Sequence, residues 1–214
     1  MRKIQLVLVA LIVLILSAFK ADHVITIYMI GDSTMSNKPL EGNNQERGWG
    51  HVLGSFFTED VRVENHAMNG RSSKSFIDEG RWETVVNKIR PGDYVFIQFG
   101  HNDEKPQPER HTDPGTTFDE NLRKFVRETR AKGGIPVLFN SIVRRNFGVN
   151  PDAVAADDIR PEKDEAVVEG DTLIDTHGKY LESPRNVAKE MDVCFIDLNP
   201  VSYTHLTLPT KLEV

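Results

Sequence analysis

The chain has 214 residues, of which 39% are hydrophobic and 27% are charged, and its formal net charge at pH 7 is −6. This length and composition are typical of one globular domain with a substantial core. The acidic balance argues against nucleic acid as a partner, because phosphate binding requires a basic surface. Acidic polysaccharides are still compatible with it, since a local patch of Arg71, Lys74 and Arg81 could attract them. The alternative interpretation of that patch is a solvated face.

The amino-terminal segment has the features of a secretory signal peptide. A basic start at Met1-Arg2-Lys3 precedes an apolar run at 4–16, and small residues follow at 17–21. The run of about 13 residues is shorter than the roughly 20 that span a bilayer, which favours a cleaved signal over an anchor. We therefore expect residues 1–21 to be removed and the protein to be secreted or periplasmic, without stable membrane association.

The chain after this segment alternates predicted strands with predicted helices. Short β-branched or apolar runs predict five strands, at 24–30, 61–66, 94–99, 135–140 and 193–197. Helices are expected at 48–57, 82–89 and 117–132, and a further helix is expected to begin with Ser183 as its cap and Pro184 at its first position. This alternation predicts an α/β fold, a parallel sheet with right-handed crossovers.

The segment between Arg144 and Asp175 is irregular and acidic. A solvent-facing insertion is the favoured interpretation, and a substrate-facing lid is the alternative. Neither its acidic spacing nor the spacing of the histidines matches a metal-ligand pattern, so no metal or cofactor is expected. The single cysteine, Cys194, cannot form an internal disulfide and is expected to be an inert, buried thiol of the last strand.

Three strand-to-loop junctions carry residue types that suit acyl transfer. Ser33 follows the first predicted strand within Gly31-Asp32-Ser33, Gly70 follows the second strand, and Asn102 follows the third. The carboxyl ends of parallel strands are where open α/β sheets bind their ligands. A serine hydroxyl suits a nucleophile, and the amides of Ser33 and Gly70 with the side-chain NH2 of Asn102 suit an oxyanion hole.

Three further polar residues at these junctions are expected to brace their loops through hydrogen bonds to the backbone. The Asp32 carboxylate is expected to stabilise its own turn rather than to touch substrate. Asn65 and Asp103 are expected to do the same for the loops that follow the second and third strands.

The ordered set of motifs resembles the SGNH (GDSL-type) serine hydrolases, most closely the rhamnogalacturonan acetylesterase-like group. The resemblance covers residues 24–199 and rests on six blocks, at 31–35, 48–50, 65–67, 70–73, 100–103 and 175–180. It implies a three-layer flavodoxin-like fold with about five parallel strands, incomplete at the carboxyl end. It also implies Ser33 as nucleophile, Gly70 and Asn102 as oxyanion donors, and an acetylated pectic polysaccharide as substrate.

The chain departs from that group in its last segment. The group's Asp-x-x-His, in which the histidine is the general base, does not occur after Asn199. Residues 201–214 resemble translated sequencing-adapter DNA, so we expect a foreign or artefactual tail on a hydrolase domain at 22–200 whose natural end is missing. Such a chain is expected to be nearly inactive. The alternatives are a non-catalytic carbohydrate-binding protein, or a lipase or thioesterase with a more apolar pocket.

No histidine of the chain is assigned the role of the base. Asp175 and His177 are two residues apart and are interpreted as a loop and helix-entry pair. His101 is expected to line a pocket or to pack, and His66 is expected to be a satisfied core histidine. His205 lies in the suspect tail.

Overall fold

The computed structural model describes residues 24–42, 44, 46–144 and 176–207. They form an α/β fold around one parallel sheet of five strands in the order β2-β1-β3-β4-β5, as predicted. This is the flavodoxin-like strand order. The strands are β1 (Ile25–Gly31), β2 (Val61–Asn65), β3 (Tyr94–Gln98), β4 (Ile135–Phe139) and β5 (Cys194–Ile196).

Four helices share one buried core with one face of the sheet. The core is rich in aromatic residues: Phe76, Phe99, Phe118 and Phe125 are all fully buried. The predicted helix at 117–132 is confirmed, and its apolar residues Phe118, Leu122, Phe125 and Val126 face this core. The helices are α1 (Ser73–Asp78), α2 (Arg81–Val86), α3 (Thr117–Ala131) and α4 (Glu182–Met191), and α5 (Leu198–Thr207) follows β5. No helix within the described ranges is long and apolar enough to cross a bilayer.

The opposite face of the sheet carries a smaller core. The described residues between β1 and β2 form no regular α-helix. The predicted helix at 48–57 is wrong: the segment forms two 3-10 turns, Trp49–His51 and Leu53–Phe56. The physical reason is close packing on the loop after β1. A Cβ atom on Gly48 would lie 2.2 Å from the Ser36 carbonyl oxygen, and one on Gly50 would lie 2.6 Å from the Met35 carbonyl oxygen.

Two helix starts differ from the predicted ones. Helix α4 begins two residues earlier than expected, so Leu181 is its N-cap, and Ser183 and Pro184 lie within its first turn. Proline is still tolerated there because the first-turn amides have no intrahelical acceptor. Helix α1 was not predicted. Ser72 is its N-cap: the Ser72 hydroxyl accepts a hydrogen bond from the Ser75 amide, and the Ser75 hydroxyl accepts one from the Ser72 amide.

Cys194 is exposed, so the expected buried thiol is wrong. Strand β5 is at the edge of the sheet and pairs only with β4 in the described structure. Because side chains alternate along a strand, Phe195 packs against the helical core, while Cys194 and Ile196 point to the other face. That face has little cover at β5.

Candidate active site

The loops after β1, β2 and β3 are joined to one another at one edge of the sheet. Because the three strands are parallel neighbours, their carboxyl ends lie at the same edge. The amide of Met68, after β2, donates to the Gly31 carbonyl oxygen of β1 at 3.0 Å. The side-chain Nδ2 of Asn102, after β3, donates to the Arg71 carbonyl oxygen at 3.1 Å. The structure therefore brings together the three loops in which the sequence predicts a catalytic site.

Ser33 lies in a tight turn directly after β1 and is half-buried. The amides of Met35 and Ser36 donate to the Asp32 carbonyl oxygen at 3.3 and 3.1 Å, which closes the turn around Ser33. Within the described residues, the Ser33 amide donates to no protein group. An N–H group in this state is free to bind a ligand atom.

The Asp32 carboxylate braces this turn, which confirms its predicted role. Its Oδ1 accepts from the backbone amide and the hydroxyl of Thr34, at 2.9 and 2.8 Å. The residue is completely buried, and its Oδ2 receives no hydrogen bond from the described residues. Burial raises the pKa of the Asp32 carboxyl, while the Thr34 hydrogen bonds and the charges of His177 and Arg144 lower it.

A chain of hydrogen bonds from β3 supports the same turn. The indole Nε1 of Trp49 donates to Gln98 Oε1 at 2.6 Å, and Gln98 Nε2 donates to the Thr34 hydroxyl at 2.8 Å. Gln98 is completely buried. Sequence reasoning missed its role, although a glutamine in an otherwise apolar strand is a usable signal, since a buried amide must find partners.

Gly70 lies in the loop after β2, in a turn closed by the Arg71 amide on the Met68 carbonyl oxygen at 3.3 Å. Its φ of 75° belongs to the left-handed region, which glycine adopts without strain. The space beside its Cα is open, since a Cβ atom there would meet nothing within 4 Å. In the described part of the chain, no group accepts from the Gly70 amide.

Asn102 lies in the loop after β3 and is only 3% exposed. Its side-chain NH2 carries two hydrogens, and the bond to the Arg71 carbonyl uses one of them. That bond fixes the orientation of the amide plane and leaves the second hydrogen for another acceptor. Asn102 is thus a buried, oriented donor.

Asp103 clamps the loop after β3 onto helix α1, as predicted for a bracing residue. Its carboxylate accepts from the amide and hydroxyl of Ser73, from the Gly100 amide and from the Thr112 hydroxyl. The residue is completely buried, and burial raises the pKa of the Asp103 carboxyl to about 7 although these hydrogen bonds lower it.

Asn65 braces the loop after β2, which was also predicted. Its Oδ1 accepts from the Ala67 amide at 3.0 Å, and its Nδ2 donates to the Met35 carbonyl oxygen at 2.8 Å. One side chain therefore holds both the loop after β2 and the end of the turn that carries Ser33.

Every histidine whose side chain is described is hydrogen-bonded to a group other than Ser33. His177 is 1% exposed and precedes the 3-10 turn Gly178–Tyr180, which agrees with the predicted helix entry. His101 is 6% exposed and packs against His177. The predicted core position of His66 is wrong: it lies just past β2, its side chain is 24% exposed, and it bonds Glu64 at 3.3 Å. The other two bond elsewhere, His51 to the Lys38 amide and His111 to Lys105 and Asp113.

Several parts of the sequence hypotheses lie outside the described side chains. They are the predicted signal segment 1–21, the acidic stretch 145–175 with Asp175, His205, and the predicted tail beyond Ser202. Among the described residues, no three His, Cys, Asp or Glu side chains converge where a metal ion would fit.

A polar cleft of about 520 Å³ opens beside Gly70. Its walls are polar or charged: Asn69, Gly70, Arg71, Ser75, Asp78, Glu79, Glu109 and Arg110. The basic patch that the sequence predicts next to it is partly neutralised, because Arg71 and Arg81 both pair with Glu79, at 3.0 and 2.6 Å. No large apolar side chain lines the cleft, and neither Ser33 nor Asn102 belongs to its lining.

The fold and the Gly-Asp-Ser turn after β1 are those of the GDSL class of hydrolases. The model of the GDSL-like Lipase/Acylhydrolase family matches residues 29–212. The chain belongs to this family, which confirms the resemblance found in the sequence.

Curated relatives of the chain are named rhamnogalacturonan acetylesterases. The protein RhgT of Bacillus subtilis is 38% identical over 174 residues, which are 81% of this chain and 65% of that protein. The probable rhamnogalacturonan acetylesterase YesY of the same organism is 40% identical over 128 residues, 59% of this chain and 57% of its own length. The chain thus spans about two thirds or less of each relative.

Solved structures share the fold. The crystal structure of YxiM from Bacillus subtilis has a TM-score of 0.63 and 28% identity, and the match covers 86% of this chain and 46% of that one. A catalytic mutant of an acetylxylan esterase from Geobacillus stearothermophilus has a TM-score of 0.55 at 17% identity, covering 86% and 81%. At that identity the likeness concerns the fold alone.

Proposed function

We propose that the chain is the nucleophile-bearing part of a secreted serine esterase that removes acetyl groups from pectic polysaccharide. Ser33 is the nucleophile, and the amides of Ser33 and Gly70 with Asn102 Nδ2 form the oxyanion hole. One observation carries this assignment: the half-buried Ser33 follows β1, and the loops joined at this edge hold donors without an acceptor among the described residues. These donors are the backbone N–H groups of Ser33 and Gly70 and the second hydrogen of Asn102 Nδ2. The names of the relatives support the substrate class.

The proposed reaction begins when Ser33 Oγ attacks the ester carbonyl carbon and passes its proton to a general base. The carbonyl oxygen becomes negative and accepts hydrogen bonds from the three N–H donors, which stabilise the tetrahedral intermediate. The bond to the sugar oxygen then breaks, and that oxygen takes the proton back from the base. Water hydrolyses the acetyl-serine in an equivalent second step and releases acetate.

The general base is proposed to be the histidine of an Asp-x-x-His, a pattern that the 214 residues do not contain. The hydrogen bonds of the described histidines support this, because none of them reaches Ser33. The 214-residue chain is then expected to be nearly inactive, since loss of a catalytic histidine costs about 10⁶ in kcat.

The substrate is proposed to be an acetylated polysaccharide rather than a lipid. The cleft beside Gly70 is lined by amide, hydroxyl and charged side chains and contains no large apolar residue. A lipase or thioesterase needs an apolar groove for its acyl chain, since burying CH2 groups supplies most of the binding energy for such a chain.

Export of the protein is proposed on the amino-terminal pattern alone. The basic start and the apolar run at 4–16 support cleavage near residue 21. Amino-terminal sequencing of the protein recovered outside the cytoplasm tests this: an intact Met1 there, or retention in the cytoplasm, contradicts it.

The first test is to resequence the source DNA across the codons for Pro200 and beyond. A frame that continues into an Asp-x-x-His supports the esterase, and the completed protein is then assayed for acetate release from acetylated rhamnogalacturonan. Ser33→Ala is expected to lower kcat by about 10⁴–10⁶. A frame that ends at Val214 contradicts the esterase and favours the non-catalytic carbohydrate-binding protein, for which binding without turnover is expected.

A further inference from the structure

Four side chains form a cluster next to Asp32: the buried His101 and His177, and the partly buried Glu104 and Arg144. The rings of His101 and His177 lie 4.4 Å apart between centroids, and His101 Nδ1 is 3.9 Å from Asp32 Oδ1. Arg144 Nε donates to Glu104 at 2.9 Å, and the same guanidinium donates to the His101 carbonyl oxygen at 2.6 Å. The cluster connects the loop that carries Asn102 with the loop that carries Ser33.

The hydrogen bonds of His177 place a proton on both of its ring nitrogens. Its Nε2 lies 3.1 Å from the Ile142 carbonyl oxygen, which can only accept, so Nε2 is a donor. Its Nδ1 lies 2.9 Å from Glu104, whose carboxylate also accepts from the permanently charged Arg144. Nδ1 is therefore a donor too. A histidine that donates from both nitrogens is an imidazolium, and this one has a completely buried side chain.

The stacked His101 is the neutral member of the pair. Its Nε2 donates to the same Ile142 carbonyl oxygen at 3.0 Å. Because a neutral imidazole carries only one N–H group, the His101 Nδ1, which faces Asp32, is unprotonated. A second imidazolium stacked on the first would be repelled by it. Burial lowers the pKa of His101 well below the usual range, and the charges of His177 and Arg144 lower it further.

Asp32 depends on this charge because its own hydrogen bonds are incomplete. The carboxylate is completely buried, accepts only from Thr34, and has one oxygen that no described residue bonds. A buried carboxylate stays ionised only if hydrogen bonds or positive charge compensate for its burial. The charges of His177 and Arg144 favour its ionised form. The charge of Glu104, which pairs with both of these cations, and the charge of Asp103 oppose it.

We propose that His177 is a positioning residue for the nucleophile. With Arg144 it supplies the buried positive charge that keeps Asp32 ionised, and ionised Asp32 holds the turn that presents Ser33. His177 does not touch Ser33. The effect on catalysis rests on the proposed function, whereas the buried charge does not.

The charge is tested first, on the 214-residue chain with 15N-labelled histidine. At pH 7, NMR should show imidazolium shifts at both ring nitrogens of His177, and one protonated and one bare nitrogen for His101. His177→Gln and His101→Gln assign the signals, and His111→Gln, which removes an exposed histidine bonded to Asp113, is the control that leaves both rings unchanged. A neutral His177 at pH 7 overturns the proposal.

The consequence for catalysis is tested in a form of the protein that turns over acetyl esters. His177→Gln should lower kcat at pH 7 by about tenfold with little change in KM. It should also move the acidic limb of the pH profile of kcat to higher pH, because Asp32 takes up a proton more readily without the charge of His177. His111→Gln should change neither. If His177→Gln does not fold, Arg144→Gln removes the other charge and should move the limb in the same direction.

The outcomes separate the two proposals. A lower kcat with an unmoved acidic limb means that His177 has only a structural role, and overturns the positioning role. If the unmutated protein releases no acetate, the proposed function and the positioning role both fail, while the NMR spectrum still decides whether His177 carries the buried charge.

Discussion

The loops after β1 and β3 each contain a completely buried aspartate, but they hold it in different ways. Asp103, after β3, accepts four hydrogen bonds from three other residues. Asp32, after β1, accepts only from Thr34 and leaves one oxygen without a hydrogen bond from the described residues. The first loop is locked by direct bonds, whereas the second depends on nearby charge and on the packing of neighbouring segments.

This difference matches the roles proposed for the two loops. The loop after β3 presents Asn102, the proposed oxyanion donor, and such a donor depends on rigid placement before the reaction begins. The loop after β1 presents Ser33, the proposed nucleophile, whose hydroxyl would exchange a proton and form a bond. Direct clamping suits the first task, and adjustable electrostatic support suits the second.

The largest expected effect in this comparison comes from Asn102→Ala. In an esterase-active form of the protein, loss of one oxyanion donor should lower kcat by about 10²–10³ with little change in KM. Asn87→Ala, at the exposed end of α2, is the matched control and should leave kcat unchanged. An unchanged kcat for Asn102→Ala would remove this residue from the oxyanion hole and make its loop purely structural.

A smaller effect is expected where a neighbouring segment supports the loop after β1. In Gly50→Ala the new Cβ would lie 2.6 Å from the Met35 carbonyl oxygen, so the backbone must shift. We expect the free energy of unfolding to fall by about 1–3 kcal/mol in urea titrations. Gly54→Ala, whose Cβ would come no closer than 3.8 Å to its neighbours, is the control. Equal stability of the two variants would show that the loop does not depend on this packing.

The smallest effect is expected from the titration of Asp103. Its pKa in the folded protein, about 7, lies above the usual value, so the folded state binds the proton more tightly than the unfolded chain. Its contribution to stability is therefore complete below about pH 4 and is lost as the pH rises through about 7. We expect the melting temperature to fall by about 2–4 °C between pH 6 and 7, the equivalent of about 1 kcal/mol.

The control for this titration is Asp103→Asn, which cannot ionise. This variant should have a lower melting temperature at every pH, because its NH2 group faces the N–H and O–H donors that bond the carboxylate of Asp103. Its melting temperature should also change less between the two pH values than that of the unmutated protein. If the unmutated protein is instead more stable at pH 7 than at pH 6 relative to this variant, the direction of the Asp103 pKa shift is wrong.

The elements that sequence reasoning predicted well are those whose pattern is local. The five strands follow from short β-branched or apolar runs, and helix α3 follows from apolar residues at helical spacing. The structure has these elements within one or two residues of the predicted ends. The loops with Ser33, Gly70 and Asn102 followed from strand ends and from turn residues. The meeting of these loops at one edge follows from parallel pairing, which the alternation of strands and helices already implied.

The predictions that failed depend on contacts between distant parts of the chain. The segment 48–57 has enough apolar residues for a helix, but its glycines are required for close contact with Met35 and Ser36, which local sequence does not reveal. Cys194 lies in an apolar run, yet its exposure depends on β5 being an edge strand with little cover on one face. The partners of Gln98 and of the buried histidines come from other strands and loops in the same way.

The sequence by itself determined the α/β class, the number of strands, the family and the three loops of the candidate site, because apolar periodicity and short ordered motifs are properties of neighbouring residues. Only the tertiary structure decided which polar side chains are buried together and what each accepts or donates. It did so because hydrogen bonds and charges act through space, so that His177, 73 residues from Glu104 along the chain, can pair with it within 2.9 Å. The protonation of that cluster could not be derived from any local pattern.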